Sequence, residues 1–170
     1  MGNINIRKAL LSDANIIQEI HKQFYLDFCD IECIEFKYII KKIKDKLMYV
    51  LEENDKVLAV ISTGIDKTFS KPKFMIDTLA IKKGYHKNGY GTKLLNYILD
   101  NIWDRLKFEE IFVGTFEEYG ALNFYRKNGF NIEDIYNDIY DDNKNHKVYL
   151  LYMNRDKYES IRNNGKLHKI

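Results

Sequence analysis

Residues 76–99 read IDTLAIKKGYHKNGYGTKLLNYIL, and the order of apolar and glycine residues in this stretch decides the fold. The apolar run from Phe74 to Ile81 is long enough for a buried central strand. Three glycines follow it, at Gly84, Gly89 and Gly91. Beyond them, apolar residues recur at helical spacing and predict an amphipathic helix packed on a sheet: Leu94, Leu95, Ile98 and Ile102. The stretch therefore predicts a strand, a glycine loop and a helix.

The glycine loop has the character of an anion site. A strand, a loop and a helix in this order direct backbone N–H groups and the positive end of a helix dipole at one point. Gly89 and Gly91 lack a Cβ, so the backbone can approach an oxygen atom closely. One hydroxyl and three ammonium groups are close in sequence: Thr92, Lys82, Lys83 and Lys87.

Two common nucleotide loops do not fit. A Walker loop needs lysine where Tyr90 follows Gly89. A dinucleotide fingerprint needs a third glycine where Leu94 stands. A plain turn between strand and helix remains the alternative at this point.

The segments before the loop predict a strand, two helices and a hairpin. Residues 3–8 alternate like a strand, and Ser12–Asp13 offers N-cap oxygens to a helix with one apolar side: Ile16, Ile17, Ile20 and Phe24. A second helix has apolar residues at helical spacing, with lysines opposite that we expect to face solvent: Phe36, Ile39, Ile40 and Ile43. Two β-rich runs, 47–51 and 56–65, flank a polar turn at 53–55.

The segments after residue 102 predict three strands and one helix. EIFVGTF at 110–116 is a strand, and 118–128 is a helix that ends at Gly129 as a left-handed stop. Residues 130–135 and 147–153 are the closing strands, with a polar insertion between them. We expect one domain over residues 1–154 and a charged C-terminal tail over 155–170.

Composition excludes several classes of protein. The formal net charge of only +2 over 170 residues produces no overall positive field that would attract nucleic acid. Cys29 and Cys33, spaced C-x-x-x-C without a second pair, are poor zinc ligands, so we expect no metal. The N-terminus lacks an apolar signal core, and no apolar run approaches the roughly 20 residues of a membrane span, so we expect a cytoplasmic protein without a membrane partner.

Two blocks of sequence resemble the GNAT superfamily of N-acetyltransferases. The strand and loop at 76–99, with HKNGYG at 86–91, are similar to the family's acetyl-CoA signature. ALNFYRKNGF at 121–130 is similar to its second signature, and IRKALLSDANII at 6–17 resembles its opening segment. The likeness extends over most of residues 3–153.

The resemblance implies an α/β (α+β) fold with a mixed, mostly antiparallel central sheet flanked by helices. It implies that the strands at 74–81 and 110–116 splay apart and admit the pantetheine arm of acetyl-CoA. The residues implied to bind the cofactor are Leu79, Ala80, Ile81, His86, Lys87, Asn88, Gly89, Tyr90, Gly91 and Thr92, with Asn123 as a further contact. A backbone N–H near Leu79 would stabilise the oxyanion as a free amine attacks.

The resemblance also assigns catalytic candidates. Tyr125 matches the tyrosine that donates a proton to the leaving thiolate, and a phenol with an ordinary pKa near 10 holds its proton at neutral pH. The base is Asp77 or Glu118. The structural alternatives are a buried Asp77 carboxylate bonded to backbone and a Glu118 that only complements a helix dipole.

The chain departs from the family pattern at two positions. His86 replaces the usual Arg or Gln and keeps a ring N–H donor with a shorter reach. Glu118 stands where many relatives have Asn, which is why Asn123 enters as a substitute. His21, His146 and His168 have no partner in sequence and are expected at the surface or in packing.

The acceptor is left open by the sequence. A small-molecule amine and a protein amino group both fit, and the segments expected to select it are 24–46 and 134–147. The acidic, tyrosine-rich residues 133–142 would attract a cationic amine, or form a solvated loop. The rival function is a non-catalytic acyl-CoA sensor, and retention of Tyr125 argues against it. The oligomeric state left open by the sequence includes a homodimer.

Overall fold

The computed structural model of the chain describes residues 3–23, 35–68, 70–101, 103–105, 108–139 and 145–164. The strands are β1 Ile4–Lys8, β2 Met48–Glu53, β3 Lys56–Asp66, β4 Lys73–Ile81, β5 Glu110–Phe116, β6 Asn131–Ile139 and β7 Asn145–Asn154. The helices are α1 Ala14–Lys22, α2 Phe36–Lys44, α3 Tyr90–Asn101, α4 Leu122–Lys127 and α5 Arg155–Asn163. No helix among these described residues is both long enough and apolar enough to span a bilayer.

The seven strands form one sheet in the order β1-β2-β3-β4-β5-β7-β6. The pairs β1–β2, β2–β3, β5–β7 and β6–β7 are antiparallel, and β4–β5 is parallel. The predicted fold class, a mixed and mostly antiparallel sheet with flanking helices, is confirmed.

The parallel pairing between β4 and β5 is short. It joins Phe74–Ile76 to Ile111–Val113, although β4 continues to Ile81 and β5 to Phe116. The pairing therefore covers three residues of each strand, and the splaying implied by the resemblance stays a prediction.

Contacts between residues group the chain into two compact units. The first comprises Met1–Thr63 and Asp77–Asn101. Its core is built from the apolar faces of α1 and α2 and from β2 and β3, and its fully buried members include Ile17, Ile20, Ile39, Val50 and Val60. The β2–β3 turn is confirmed, with Asn54 and Asp55 at φ of 50° and 61°.

The second unit comprises Gly64–Ile76 and Ile102–Ile170. Its strands β5, β7 and β6 form an antiparallel ladder, and α5 is anchored by the buried Tyr158, whose ring lies 5.4 Å from that of Trp103. Gly129 has a φ of 96°, which confirms the predicted left-handed stop after α4. A Cβ at Gly129 would meet the end of the flexible Ile161 side chain of α5, which can shift, so glycine is favoured here by the positive φ.

Four local predictions are corrected by the structure. Asp13 does not cap α1, because its carboxylate accepts the N–H of Leu10 at 2.7 Å and pairs with Arg7. The helix predicted from residue 118 begins only at Leu122, because Gly120 takes a φ of 62° and ends a 3₁₀ turn over Glu117–Tyr119.

The other two corrections concern the polar segments. The insertion predicted between the last strands largely extends them, since β6 continues to Ile139 and β7 begins at Asn145. The segment expected as a charged tail contains α5.

Candidate active site

The loop between β4 and α3 belongs to the first unit and is shaped by its backbone. Lys82 N–H donates to the carbonyl of Leu58 at 2.8 Å, and Tyr85 N–H closes a turn on the carbonyl of Lys82 at 3.0 Å. Gly84 and Gly89 take φ values of 87° and 78°, and Lys87 takes 64°. A lysine with positive φ is uncommon, so the fold holds the loop in this shape against the local preference of Lys87.

The first turn of α3 presents N–H groups that its own helix does not use. The first hydrogen bond of the helix runs from Lys93 N–H to the carbonyl of Gly89 at 3.0 Å. The N–H groups of Tyr90, Gly91 and Thr92 precede it and have no carbonyl one turn back within the helix. These groups and the helix dipole favour binding of an anion, and the sequence predicts an anion site at this position.

The two glycines of the loop differ in conformation. Gly89 is in the left-handed region, whereas Gly91 lies inside α3 and is not among the positive-φ residues of the described chain. The positive φ of Gly89 therefore favours glycine in the turn, whereas the helical conformation of Gly91 does not.

The Tyr90 side chain is directed into the first unit. It is buried, and its hydroxyl donates to Glu53 Oε2 at 2.9 Å. This hydrogen bond raises the pKa of the Tyr90 phenol. The side chain thus ties the start of α3 to β2, and only the backbone N–H of Tyr90 is available to a cofactor.

The other predicted loop residues lie at the surface. His86, Lys87 and Asn88 are exposed, and Thr92 is half-buried in the first turn of α3. Asn88 Nδ2 donates to the carbonyl of Tyr85 at 3.3 Å and so supports the loop. Their assignment as cofactor ligands stays a prediction.

Beyond Ile76, β4 alternates between a partly accessible face and a buried one. Asp77 is exposed as a residue although only 23% of its side-chain surface is exposed, so much of its accessible area is backbone. Leu79 and Ile81 share the face of Asp77 and are half-buried, whereas Ala80 points the other way and is buried. This is the segment implied to pair with the pantetheine arm.

The Asp77 carboxylate is held by side chains of α2. Oδ2 receives the Lys42 ammonium in a short ion pair and the Tyr38 hydroxyl at 3.2 Å. The expected alternative, a carboxylate bonded to backbone, is therefore wrong. So is the expectation that every lysine of α2 faces solvent, because the Lys42 side chain is only 13% exposed.

Tyr125, the predicted acid, lies in α4 of the second unit. Its ring is buried and packs edge-to-face against Phe124 and Phe130, with centroids 5.1 and 5.6 Å away. Burial raises the pKa of the phenol, and no residue in the described part of the chain hydrogen-bonds to the hydroxyl. The group is thus a neutral phenol at neutral pH.

Glu118, the second candidate base, pairs with a histidine of the second unit. Its Oε1 lies 2.8 Å from Nδ1 of His146, whose side chain is 7% exposed against 38% for Glu118. His146 is therefore a buried partner of a candidate base, whereas the sequence placed it without a partner.

The neighbouring carboxylate, Glu117, makes different contacts. Its Oε1 accepts from Tyr149 Oη at 2.6 Å and from Lys147 Nζ at 2.9 Å. These contacts, the tyrosine first, lower the pKa of Glu117. Since His146 alternates with Lys147 and Tyr149 along β7, the two adjacent acids engage opposite faces of that strand.

The remaining predicted residues are placed as follows. Asn123 is exposed on α4 and stays a predicted cofactor contact. His21 is buried in α1, where burial lowers its pKa to about 4, which confirms a packing role. Cys29, Cys33 and His168 lie outside the described residues, and within the described ranges no group of three His, Cys, Asp or Glu side chains could hold a metal ion.

Sequence reasoning missed Tyr38, Lys42 and His146. Each hydrogen-bonds to a carboxylate that is distant in sequence. Tyr38 and Lys42 lie 39 and 35 positions before Asp77, and His146 lies 28 positions after Glu118. The one available signal was the spacing of Tyr38 and Lys42, four apart on one helix face.

Comparison with known families gives one match over most of the chain. The model described as "Acetyltransferase (GNAT) family" matches residues 14–130, which include both signature blocks. Among curated proteins, the chain is 31% identical over 88 residues to the probable N-acetyltransferase san of Drosophila melanogaster. The match covers 51% of this chain and 48% of that protein, so the chain spans about half the length of this relative.

Solved structures show the same fold. A GNAT-family acetyltransferase of Bacillus cereus superposes with a TM-score of 0.68 at 19% identity, covering 90% of this chain and 98% of the other. Arabidopsis thaliana Naa50, bound to the bisubstrate analogue CoA-Ac-MVNAL, gives 0.71 at 20%, covering 88% and 97%. Salmonella typhimurium yncA, with its cofactor acetyl-CoA, gives 0.73 at 17%, covering 89% and 93%.

Proposed function

Because the chain belongs to the GNAT acetyltransferase family, we propose that it transfers the acetyl group of acetyl-CoA directly to a primary amine. The observation that carries the proposal is the start of α3, where Gly89 turns the backbone and the N–H groups of Tyr90, Gly91 and Thr92 are not used by the helix. These N–H groups would bind the pyrophosphate of a CoA thioester.

The donor set fits the proposed co-substrate. The pyrophosphate would bind the N–H groups of the loop, with the exposed His86 and Lys87 beside it. The pantetheine arm would pair with the main chain of Leu79 and Ile81. Acetyl-CoA supplies the activated acetyl group as a thioester, and the protein supplies orientation and proton transfer.

Proton transfer is assigned to three side chains. Tyr125 is the proposed acid, supported by its place in the second signature and by a raised pKa that keeps the phenol protonated. Asp77 is the proposed base, because Lys42 and Tyr38 fix one oxygen of its carboxylate. Glu118, with His146, is the alternative base.

A peptide amino group is the first acceptor class to test. Among the structural relatives, Naa50 is bound to a CoA-Ac-MVNAL analogue, and another is the ribosomal-protein-S18-alanine N-acetyltransferase of Escherichia coli. The exposed residues of β6 carry the acids Glu133 and Asp134 without a basic residue, which suits a cationic acceptor. A small-molecule amine is the alternative.

The test combines acetyl-CoA with a panel of free-amine peptides and polyamines. Release of free thiol and an acetyl increment in product mass, both dependent on enzyme and acceptor, are the expected result. Tight acetyl-CoA binding without turnover on any amine would instead identify a sensor and contradict the proposal.

A further inference from the structure

Helix α2 brings two polar side chains to one place on β4 of the first unit. Tyr38 and Lys42 are four residues apart and share a helix face. Both are partly buried, whereas Lys37, Lys41 and Lys44 of the same helix are exposed. The exposed lysines form the solvated face of α2, so the position of Lys42 needs a separate explanation.

Burial of the Lys42 ammonium is compensated by specific contacts. Nζ donates to the carbonyl of Thr63 at 2.7 Å and to Asp77 Oδ2, and it lies 5.2 Å from the centroid of the Tyr38 ring. A partly buried charge pair costs desolvation and is often no more stable than an apolar substitute. The pair between Lys42 and Asp77 is therefore not explained by stability alone.

Tyr38 adds a second donor to the Asp77 carboxylate. Its hydroxyl donates to Asp77 Oδ2 at 3.2 Å. Burial, and then the charge of Asp77, raise the pKa of the Tyr38 phenol. Tyr38 is thus a fixed donor to Asp77 and not a base.

The two oxygens of Asp77 are used unequally. Oδ2 takes both internal donors, whereas no donor in the described ranges is bonded to Oδ1. Asp77 lies two residues from Leu79, on the same partly accessible face of β4. One oxygen is thus bonded twice by side chains of α2, and the other is bonded by none of the described residues.

From this asymmetry we infer that Tyr38 and Lys42 position Asp77 so that Oδ1 receives the ammonium of the acceptor. The inference rests on the proposed function and adds to it two positioning residues and a docking atom. The ammonium gives one proton to Oδ1. The neutral nitrogen then attacks the thioester carbonyl, the C–S bond breaks, and the leaving thiolate takes a proton from the acid. The positively charged amide nitrogen gives its second proton to the deprotonated acid, which restores it, and Oδ1 releases the first proton to solvent.

The first experiment separates positioning from stability. Lys42→Met, Lys42→Arg, Tyr38→Phe and Asp77→Asn are compared with wild type and with Lys41→Met, a matched control on the exposed face of α2. Melting temperature, acetyl-CoA Kd, and kcat and KM for the Met-Val-Asn-Ala-Leu peptide or spermidine are measured, whichever wild type acetylates.

The expected result is a split between kcat and KM. Asp77→Asn should lower kcat about 100-fold. Lys42→Met should lower kcat about 10- to 100-fold, because the hydrogen-bonded charge that orients Asp77 is lost. It should not raise the amine KM, because the Lys42 ammonium no longer competes with the acceptor for Asp77. Lys42→Arg should recover part of kcat, Tyr38→Phe should lose less than Lys42→Met, and Lys41→Met should match wild type. Acetyl-CoA Kd should stay constant throughout.

Two results would overturn the inference. If Lys42→Met and Tyr38→Phe change only the melting temperature, the network is structural. If Lys42→Met raises kcat, Lys42 occupies the place of the acceptor rather than preparing it.

A second readout does not need turnover. In protein labelled with ¹³C at the Asp carboxyl carbons, the resonance that is lost in Asp77→Asn should move when spermidine or the peptide is added in the presence of CoA. Absence of a shift at saturating amine overturns the inference even in an active enzyme. A clear shift in a protein that transfers no acetyl group supports the docking atom while the proposed function fails.

Discussion

The glycine loop at 84–92 and the acidic turn at 117–118 present their chemistry in different ways. In the loop, the groups proposed to bind the cofactor are backbone N–H groups, and the buried Tyr90 side chain is bonded to Glu53. In the turn, the chemistry lies in two carboxylates whose partners come from β7. A backbone site depends on conformation, and a side-chain site depends on which distant residues the fold brings together.

This difference predicts how each region responds to substitution. The loop should tolerate changes of its side chains but not the addition of a side chain where the backbone must approach a ligand. The turn should be sensitive to single charge removals, because each carboxylate has its own partners.

The largest effect is expected for Gly91→Glu. Gly91 is helical, and an acid in the first turn of a helix is favourable, so the variant should fold. Its carboxylate would occupy the place of the pyrophosphate, and acetyl-CoA affinity should fall about 1,000-fold or more, as calorimetry would detect.

A matched variant separates charge from bulk in this test. Gly91→Gln adds almost the same volume without charge and should bind acetyl-CoA more weakly than wild type but better than Gly91→Glu. Wild-type affinity in a folded Gly91→Glu protein would show that the cofactor does not bind at this turn.

The second effect, about 100-fold on kcat, is expected for Tyr125→Phe. The ring and its contacts with Phe124 and Phe130 remain, so acetyl-CoA Kd and melting temperature should change little. Because burial raises the pKa of this phenol, it keeps its proton above pH 10, and the wild-type rate should not fall through loss of this proton below that pH. An unchanged kcat in Tyr125→Phe would move the acid role to a water molecule or another residue.

The same contrast explains which features could be predicted from sequence. The strand at 110–116 was predicted with the bounds it has, because an apolar β-rich run between polar residues is a local signal. The start of α4 was not, because Gly120 interrupts a pattern whose apolar spacing alone suggests a longer helix.

The candidate site divides along the same line. The glycine loop was found because strand, glycine and helix signals are contiguous. The partners of Asp77 and Glu118 were not found, because no local pattern specifies that Lys42 is turned toward β4 or that His146 lies beside a residue 28 positions earlier. Those pairings follow from register and helix packing, which a single sequence does not specify.

The third effect concerns the coupling between Glu118 and His146. A double-mutant cycle with Glu118→Gln and His146→Ala should give a coupling free energy of about 1 kcal/mol in chemical denaturation, because the pair is hydrogen-bonded. The cycle of Glu117→Gln with His146→Ala is the control and should give a coupling near zero, since Glu117 bonds to Lys147 and Tyr149. Equal coupling in both cycles would mean that the two acids do not act separately.

The smallest effect is expected for Tyr90→Phe, and it tests whether side chains of the loop serve the fold alone. Acetyl-CoA Kd should stay within about threefold of wild type, while loss of the hydrogen bond to Glu53 should lower the free energy of unfolding by at most about 1 kcal/mol at neutral pH. The pKa of this phenol is raised in the folded state by that bond, so its contribution is fully present below the ordinary tyrosine pKa of 10.0 and is lost as the pH rises above it. The stability difference between wild type and Tyr90→Phe should therefore shrink between pH 9 and about pH 11 in urea titrations. The remaining tyrosines are common to both proteins and cancel in the difference. A difference that is constant over this range would show that the bond to Glu53 does not stabilise the start of α3, and a large loss of acetyl-CoA affinity would place the Tyr90 hydroxyl among the cofactor ligands.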